Sequence, residues 1–228
     1  MNLNSDIGEG AAEDEAILAC IDSANIACGV HAGSVSITIA TAERCRDLGV
    51  EIGAHPGYDD RAEFGRVERG LSVKDIEMLV AFQVVGLAAV APIAYVKPHG
   101  ALYHRCQLDA AAADAVARIA KAQGAGLMGQ PGLELVAAAE RAGIPAYREA
   151  FADRLLMPDG SLASRHVPGA VLGPAQAAEQ AVRLARSGSY DTICVHGDTK
   201  GAGQIAAAVR QALSDSGITT GPLGGTGR

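Results

Sequence analysis

The segment Ile93-Ala-Tyr-Val-Lys-Pro-His-Gly-Ala-Leu-Tyr103 sets the pattern for the whole chain. Its first four residues, Ile93 to Val96, form the short apolar, β-branched and aromatic run that is typical of a buried strand. Lys97 and His99 follow at once, and such side chains are costly to bury at the end of a strand unless they have partners. Pro98 biases Lys97 toward an extended backbone, so Lys97 should continue the direction of the strand. The segment therefore predicts a buried strand that ends in a polar corner.

The same order of strand, polar or glycine-rich corner and helix recurs along the chain. Predicted strands span Leu3–Ser5, Ser23–Ala27, Val50–Ala54, Ile93–Val96, Gly126–Met128, Ile144–Tyr147 and Thr192–Val195. Predicted helices span Glu13–Cys20, Val35–Leu48, Val73–Ala89, Asp109–Gln123, Pro131–Ala142, Gly173–Ser187 and Gln204–Leu213. These seven units are spaced for parallel strands joined by right-handed crossovers.

The spacing predicts a single-domain α/β barrel over residues 1–220, closed or incomplete, with an open doubly wound sheet as the alternative. Residues Met157 to Val167, with Asp159-Gly160 at their centre, read as a small excursion or hairpin. The glycine-rich tail, residues 221–228, is predicted to be disordered.

The composition suits an α/β protein with a sizeable core, at 49% hydrophobic and 20% charged residues. A net charge of −7 without a basic stripe argues against a nucleic-acid surface. Five cysteines without a C-x-x-C pair fit a reduced, cytoplasmic compartment, and the N-terminus lacks the features of a signal peptide. Pro92 splits the uncharged run Met78–Val96 into a helix and a strand, so we expect no membrane span.

Titratable side chains gather directly after the predicted strands. They are Asp6, Glu9, His31, His55, Lys97, His99, Arg148, Glu149, Asp153, His196 and Asp198. Parallel α/β folds place their active sites at the carboxyl ends of the strands, so we expect these groups to converge in one pocket. Four of the six histidines are among them, whereas a purely structural role would scatter histidines over helix surfaces.

Two carboxylates and one ammonium are candidates for acid–base and electrostatic roles. Asp6 and Glu9 could supply a general base, because buried or crowded carboxylates acquire raised pKa values. The structural alternative for Asp6 is a cap on the first helix or its loop. Lys97 could stabilise an oxyanion or hold an acyl phosphate, and it could equally form a buried ion pair with a carboxylate.

The histidines allow two kinds of chemistry. His31 and His55, together with Asp6, offer the Asp/His/His ligand set of a catalytic Zn²⁺ or similar metal. No H-E-x-x-H helix supports this set, so metal-free acid–base or hydrogen-bonding roles, and that of a satisfied core histidine, stay open. His99 and His196 are candidate proton carriers.

The remaining polar residues carry weaker signals. Asn25 lies within a predicted strand, where it could face the pocket or tie down a loop. His104 and His166 lack a strand-end context and are predicted at the surface, and Cys28 is predicted to pack. The chain contains neither G-x-x-x-x-G-K-[ST] nor a strand followed by G-x-G-x-x-G, so it shows no standard nucleotide cradle of its own.

A series of motifs in order along the chain resembles the LamB/YcsF family, the A subunits of 5-oxoprolinase. The matching pieces are Asn4-Ser-Asp-Ile-Gly-Glu-Gly10, Ser23-Ala-Asn-Ile-Ala-Cys-Gly-Val-His-Ala-Gly33, Ile52-Gly-Ala-His-Pro-Gly-Tyr58, Phe64-Gly-Arg66, Val96-Lys-Pro-His-Gly-Ala-Leu-Tyr103, Phe151-Ala-Asp-Arg154 and Asp191-Thr-Ile-Cys-Val-His-Gly-Asp-Thr199. The resemblance implies a (β/α)7 barrel related to the glycoside hydrolase/deacetylase group, whose metal-dependent members use an Asp/His/His set.

The resemblance also implies ATP-dependent opening of 5-oxo-L-proline to L-glutamate, with Mg²⁺-bound ATP as co-substrate and with partner subunits B and C. On this basis the predicted catalytic residues are Asp6, Glu9, His31, His55, Lys97 and His99. The predicted substrate-binding residues are Asn25, Arg66, Asp153, Arg154, His196 and Asp198. A bound divalent metal on Asp6, His31 and His55, and a homo-oligomer, both stay open.

The chain departs from the family pattern near the predicted site. Ser5 stands where the family usually has Cys, Ser34 stands where it usually has Asp, and the segment from Gly10 to Glu15 is shorter than usual. The loop after His55 also differs at three positions, which are Asp59, Glu63 and Val67. Two other functions therefore remain as alternatives: a stand-alone metal-dependent amide or carbohydrate deacetylase, and a non-catalytic scaffold subunit that binds the lactam.

Overall fold

A closed barrel of parallel strands forms the centre of the protein. The computed structural model describes residues 1–157, 162–163 and 167–224, and within them seven strands follow one another around the barrel in chain order. The strands are β1 (Asn2–Ile7), β2 (Ser23–Ala27), β3 (Glu51–His55), β4 (Tyr95–Val96), β5 (Gly126–Gly129), β6 (Ala146–Phe151) and β7 (Thr192–Val195). Parallel pairing of β1 with β7 closes the barrel, which confirms the (β/α)7 fold and excludes the open sheet.

An outer layer of helices covers the barrel. The helices are α1 (Asp14–Leu18), α2 (Val35–Leu48), α3 (Val73–Ala88), α4 (Gly100–Leu108), α5 (Ala110–Ala122), α6 (Glu134–Ala142), α7 (Pro174–Arg186) and α8 (Ala202–Asp215). Local side chains cap the first turns of three helices. Ser34 Oγ accepts from the Ile37 amide, Ser72 Oγ accepts from the Asp75 amide, and Asp109 Oδ1 accepts from the amides at the start of α5. Gly49 ends α2 in the left-handed conformation, at φ 69°.

Polar side chains fill the barrel interior. Side chains alternate along a strand, so Asn2, Asn4 and Asp6 of β1 share one face. Asn25 on β2 donates to both Asn4 Oδ1 (2.8 Å) and Asp6 Oδ1 (2.7 Å), and it accepts from the Tyr95 hydroxyl of β4 (2.7 Å). Because β2 and β4 are not neighbours, the last bond crosses the interior. We call these stacked interior side chains the interior column. Hydrogen bonding within it offsets the desolvation of its polar groups.

Among the differences from the predicted elements, two change what surrounds the cavity. Gly100–Leu108 forms α4, where no helix was predicted, because Leu102 and Cys106 are buried in the core and packing outweighs the turn signal of Gly100. Strand β6 runs to Phe151 rather than ending at Tyr147, so Glu149 lies inside the barrel and not in the loop after the strand.

Three further predictions fall wholly or partly outside the described residues, and the surface position predicted for His166 is one of them. The centre of the predicted hairpin, Asp159-Gly160, lies outside them, while Leu156 and Leu162 form an antiparallel bridge. In the predicted disordered tail, residues 225–228 also lie outside. The amides of Leu223 and Gly224 both donate to the Glu51 carboxylate at 3.0 Å, and the Gly221 amide donates to the Met1 carbonyl at 3.0 Å.

Among the residues that the structure describes, no helix is long and apolar enough to cross a membrane.

The narrow space between β3 and Tyr95 provides a test of the barrel packing. A Cβ at Gly53 would overlap the Tyr95 ring, so we expect Gly53→Ala to lower the free energy of unfolding by about 1–3 kcal/mol. Gly86→Ala on α3 is the matched control, because a Cβ there meets nothing within 4 Å and alanine favours the helix by about 0.5–1 kcal/mol. Urea unfolding of both variants measures the difference; equal effects would contradict this packing.

Candidate active site

The carboxyl end of the barrel opens into a cavity of about 740 Å³. Strand-end residues and their loops supply its polar lining, as predicted for parallel strands. The lining includes Asp6, His55, Arg66, Lys97, His99, Arg154 and His196.

Lys97 lies at the floor of this cavity, where two carboxylates and a thiol surround its ammonium group. Its Nζ is 2.7 Å from Glu149 Oε1, 3.1 Å from Asp6 Oδ1 and 3.2 Å from Cys194 Sγ. Burial by itself would lower the pKa of Lys97, but the Asp6 carboxylate and then the other acidic neighbours outweigh it and hold the pKa well above its usual value. Lys97 is therefore a buried ammonium ion.

Asp6 is the acid of the cavity floor that stays ionised. Burial would raise its pKa, but the charge of the Lys97 ammonium outweighs burial and holds the pKa well below its usual value. In the described part of the chain its hydrogen bonds, from Asn25 and Lys97, both end on Oδ1. The second oxygen, Oδ2, is therefore left for a water molecule or a substrate.

Glu149 is the second acid on Lys97, and its environment differs from that of Asp6. The side chain is fully buried, and burial raises its pKa in spite of Lys97. The Tyr103 hydroxyl of α4 donates to Glu149 Oε2 at 3.0 Å. Asp6 and Glu149 thus flank one ammonium and have pKa values shifted in opposite directions.

One carboxylate and three histidines form a second cluster beside Asp6. Each of Glu9, His31, His55 and His99 brings one donor atom within 4.8 Å of the others, so these four residues could hold a metal ion. Burial lowers the pKa of His31 to about 3 and that of His55 to about 4, and it lowers the pKa of His99 as well. The three imidazoles are therefore neutral at physiological pH.

The loop after β3 brings backbone atoms against these imidazoles. Phe64 adopts a left-handed conformation at φ 56°, which costs a non-glycine residue about 1–2 kcal/mol. In this conformation its carbonyl accepts from His99 Nε2 at 2.9 Å. Gly57 permits a similar approach, because a Cβ there would lie 2.6 Å from His31 Nδ1. The loop therefore fixes the orientation of the histidines.

A histidine on an aspartate lies on the opposite side of the floor. His196 Nδ1 donates to Asp153 Oδ1 at 2.9 Å, and its ring stacks on Phe151 with centroids 5.3 Å apart. At the rim, Arg66 and Asp198 form an ion pair between the loops after β3 and β7. Arg154 lines the cavity wall and donates to the Ala163 carbonyl at 2.6 Å.

The structure brings most of the predicted site residues together, with two differences. Asn25 is fully buried in the interior column, where it holds Asp6 and does not line the cavity. Of the predicted metal set, His31 and His55 belong to the four-residue cluster, but Asp6 is occupied by Lys97 and Asn25.

Three buried neighbours of Lys97 received no individual role from the sequence: Glu149, Tyr103 and Cys194. The signal for Glu149 was an acidic residue next to an apolar strand. The sequence signal that could have identified Tyr103 was its position at the end of the segment Ile93–Tyr103.

Fold and site together define a seven-stranded α/β-barrel protein with a buried acid–ammonium centre and an imidazole cluster at the carboxyl end of its strands. The chain belongs to the LamB/YcsF family, which its residues 1–227 match.

Two relatives and one more distant structure show the extent of the similarity. The 5-oxoprolinase A subunit of Kocuria rhizophila is 44% identical over 247 residues, covering 96% of this chain and 97% of that protein. The crystal structure of a lactam utilization protein from Thermus thermophilus superposes with a TM-score of 0.88 at 34% identity, covering 97% of this chain and 98% of that one. A family 4 carbohydrate esterase from Streptomyces lividans, at 9% identity and a TM-score of 0.57 over 97% of this chain and 91% of that one, shares the fold.

The buried position of Lys97 makes a stability prediction. We expect Lys97→Met to lower the free energy of unfolding by about 3–5 kcal/mol, because it leaves two buried carboxylates without their counter-ion. Adding Glu149→Gln should recover part of this loss, since it removes one of the unpaired charges. Denaturant unfolding of the single and double variants measures both effects.

The matched control is Arg148→Met on strand β6, which also carries Glu149, because Arg148 pairs with Asp191 near the surface. We expect this variant to lose less than about 1 kcal/mol. A loss from Lys97→Met as small as that from Arg148→Met would contradict the buried ion triad.

Proposed function

We propose that this chain is the barrel subunit of an ATP-dependent 5-oxoprolinase, which opens 5-oxo-L-proline to L-glutamate together with partner subunits B and C. The observation that carries the proposal is an ionised carboxylate, Asp6, on the floor of a polar cavity, in a chain that aligns over nearly its whole length with proteins named as A subunits of 5-oxoprolinase. The name of the Thermus thermophilus protein, a lactam utilization protein, is in accord with a cyclic amide as substrate.

The chemistry requires activation of a stabilised amide. Transfer of the γ-phosphoryl group of ATP to the lactam oxygen releases ADP and makes the ring carbon electrophilic. Water then adds to that carbon, the carbon–nitrogen bond breaks, and the nitrogen takes a proton to become the amine. A second water molecule releases the phosphate, so one turnover yields one glutamate, one ADP and one phosphate.

Asp6 is suited to the proton transfer from the attacking water. A general base must lie within hydrogen-bond reach of the proton that it takes, and Asp6 Oδ2 is the oxygen left over at the cavity floor. Lys97 supports this role because its ammonium pairs with Asp6 and lies buried against Glu149 and Cys194, inside the barrel. Lys97 therefore keeps Asp6 ionised instead of stabilising an oxyanion directly.

His196 is suited to the proton that the departing nitrogen needs. Its Nδ1 is held by Asp153, which leaves Nε2 as the second nitrogen of a ring whose side chain is 13% exposed. Such an oriented imidazole can pass a proton to a leaving group. Arg66, on the rim, is suited to receive the substrate carboxylate in exchange for Asp198.

Partner subunits fit the distribution of functions in this sequence. The chain lacks a glycine-rich phosphate loop, so the Mg²⁺-bound ATP would be held jointly with or by the partners. Subunits B and C are the partners that the naming of the relatives as A subunits suggests. Reconstitution should give equal amounts of glutamate and ADP from 5-oxoproline only when the cognate partners are present, and failure with every cognate partner would overturn the proposal.

A second candidate function is a stand-alone metal-dependent deacetylase. The observation that favours it is the cluster of Glu9 and three histidines beside the cavity. Release of acetate from an acetylated sugar or amide by the chain without partners would support this function.

The proposed base makes a prediction for activity. We expect Asp6→Asn to reduce turnover by about 100-fold or more in the reconstituted enzyme, because general-base catalysis contributes roughly 10²–10⁴-fold. Coupled assays of ADP and glutamate measure the rate. Co-purification of the variant with its partners checks that assembly persists.

The control is Asp47→Asn on the exposed face of α2, which should leave the rate unchanged. If Asp6→Asn kept full turnover, Asp6 would not be the base. If it lost assembly but not the turnover of the assembled fraction, the scaffold function would be favoured.

The proposed carboxylate site makes a separate prediction. We expect Arg66→Gln to raise the KM for 5-oxoproline by about 10-fold or more with a smaller effect on kcat, because a lost charge-assisted pair weakens the bound substrate and the transition state alike. Arg44→Gln, which breaks an exposed pair with Glu15 on the outer surface, is the control. A fall in kcat at constant KM would instead place Arg66 in the chemical step.

A further inference from the structure

We propose that Glu9, His31, His55 and His99 bind one divalent transition-metal ion, of the class of zinc or cobalt, and that Asp6 remains outside its coordination sphere. The proposal differs from the Asp6, His31 and His55 set that the family resemblance implies. It concerns binding by these four side chains and holds whether or not the proposed reaction is correct.

The first argument is the fixed tautomers of two histidines. His55 Nδ1 contacts the Lys97 carbonyl at 2.8 Å, and His99 Nε2 contacts the Phe64 carbonyl at 2.9 Å. A carbonyl oxygen only accepts, so both nitrogens must carry the hydrogen. In the neutral rings the other nitrogens, His55 Nε2 and His99 Nδ1, therefore carry lone pairs.

These two lone pairs face each other at 2.9 Å. Neutral imidazoles in these tautomers have no hydrogen to place between them, so the contact is repulsive unless a cation lies beside it. Backbone carbonyls that hold the far nitrogen of a histidine are also the usual outer-shell partners of metal-bound histidines. The geometry thus prepares both rings for a metal ion.

Glu9 lies at a distance suited to shared metal ligation from two of the three histidines. Glu9 Oε1 lies 3.3 Å from His99 Nδ1 and 3.3 Å from His31 Nε2. Zinc bonds of about 2.0–2.1 Å place neighbouring ligand atoms of a tetrahedron roughly 3.3–3.4 Å apart. The rings of His31 and His99 stack in parallel at 4.0 Å, an arrangement that suits two neutral rings and not two cations.

Asp6 does not belong to the group of donor atoms that lie within 4.8 Å of one another, and its oxygen nearest to His55 is already in use. Oδ1 is 3.5 Å from His55 Nε2, but it accepts from Lys97 at 3.1 Å and from Asn25 at 2.7 Å. A metal bond at this oxygen would compete with the buried ammonium of Lys97 and would bring two cations together. Three imidazoles and one carboxylate also favour zinc-like ions over Mg²⁺ or Ca²⁺, which prefer oxygen ligands.

The experiment is a metal titration of the full chain after removal of metal with a chelator. Co²⁺ is the probe, followed by its visible absorption, and Zn²⁺ is added to displace it and to measure heat. We expect one equivalent to bind. His99→Gln and Glu9→Gln should each weaken binding by about 100-fold or more, since even outer-shell partners are worth roughly 10–100-fold.

Two variants give the matched comparisons. Asp6→Asn should bind Co²⁺ within a few-fold of the wild-type affinity although it should lose turnover, so the metal site and the proposed function can fail separately. His104→Gln, the same change at an exposed histidine on the cavity rim, should leave binding unchanged. Circular dichroism checks that each variant is folded. If His99→Gln does not fold, Glu9→Gln still tests the site.

Three results would overturn the proposal. In the first, Asp6→Asn abolishes Co²⁺ binding while Glu9→Gln and His99→Gln retain it, which would restore the Asp/His/His set. In the second, neither Co²⁺ nor Zn²⁺ binds at one equivalent, which would place a shared proton between His55 and His99. In the third, His104→Gln weakens binding as much as His99→Gln, which would show adventitious surface binding.

Discussion

The ammonium of Lys97, held between two carboxylates inside the barrel, is the interaction on which the rest of the site depends. Lys97 follows β4, and its ammonium contacts Asp6 of β1 and Glu149 of β6. Side chains from three separate strands must therefore meet within hydrogen-bond distance. A buried charge without partners would be strongly unfavourable, which means that the barrel has to close with this register to be stable. Closure and the ionisation state of the cavity floor are thus consequences of one arrangement.

The interior column explains how the floor is kept in place. Hydrogen-bonded side chains run from the amino end of the barrel up to Asp6, in the order Asn2, Thr192, Asn4 and Asn25, and Tyr95 donates to Asn25. Each member is hydrogen-bonded, so the column acts as a rigid support and not as a set of unsatisfied groups. The imidazole cluster, in contrast, is held by loop carbonyls. One carboxylate oxygen, Asp6 Oδ1, lies between these two supports.

Much of this could be predicted from the sequence because strand ends and corners are local signals. The buried run before Lys97 and its repeats along the chain predicted a parallel α/β fold and the convergence of Asp6, His31, His55 and Lys97. They left a barrel and an open sheet as alternatives, and the seven-stranded barrel was what the family resemblance implied. The sequence could not resolve the direction in which a polar side chain on a strand points. In a barrel strand both faces are buried, so hydrophobic periodicity does not tell whether Asn25 points inward to its neighbours or upward to a ligand.

Ring orientation was likewise beyond sequence reasoning. The spacing of the histidines did not distinguish Glu9 from Asp6 as their carboxylate partner, because that choice depends on which ring nitrogen meets a carbonyl of a distant loop. Helix α4 was missed for a related reason: Gly100 carries a turn signal, and the buried side chains that override it act only once the core has formed.

The alanine-rich packing of the outer helices against the barrel has a thermodynamic consequence. Helix α5 buries Ala112, Ala113, Ala115, Ala117 and Ala120 against the barrel and its neighbours. Alanine loses no rotamer entropy on burial and has the highest intrinsic helix propensity, so this layer is ordered at a low entropic penalty. That saving offsets the unfavourable desolvation of an interior built from amides, hydroxyls and charges, and it lets a small barrel keep polar chemistry at its centre.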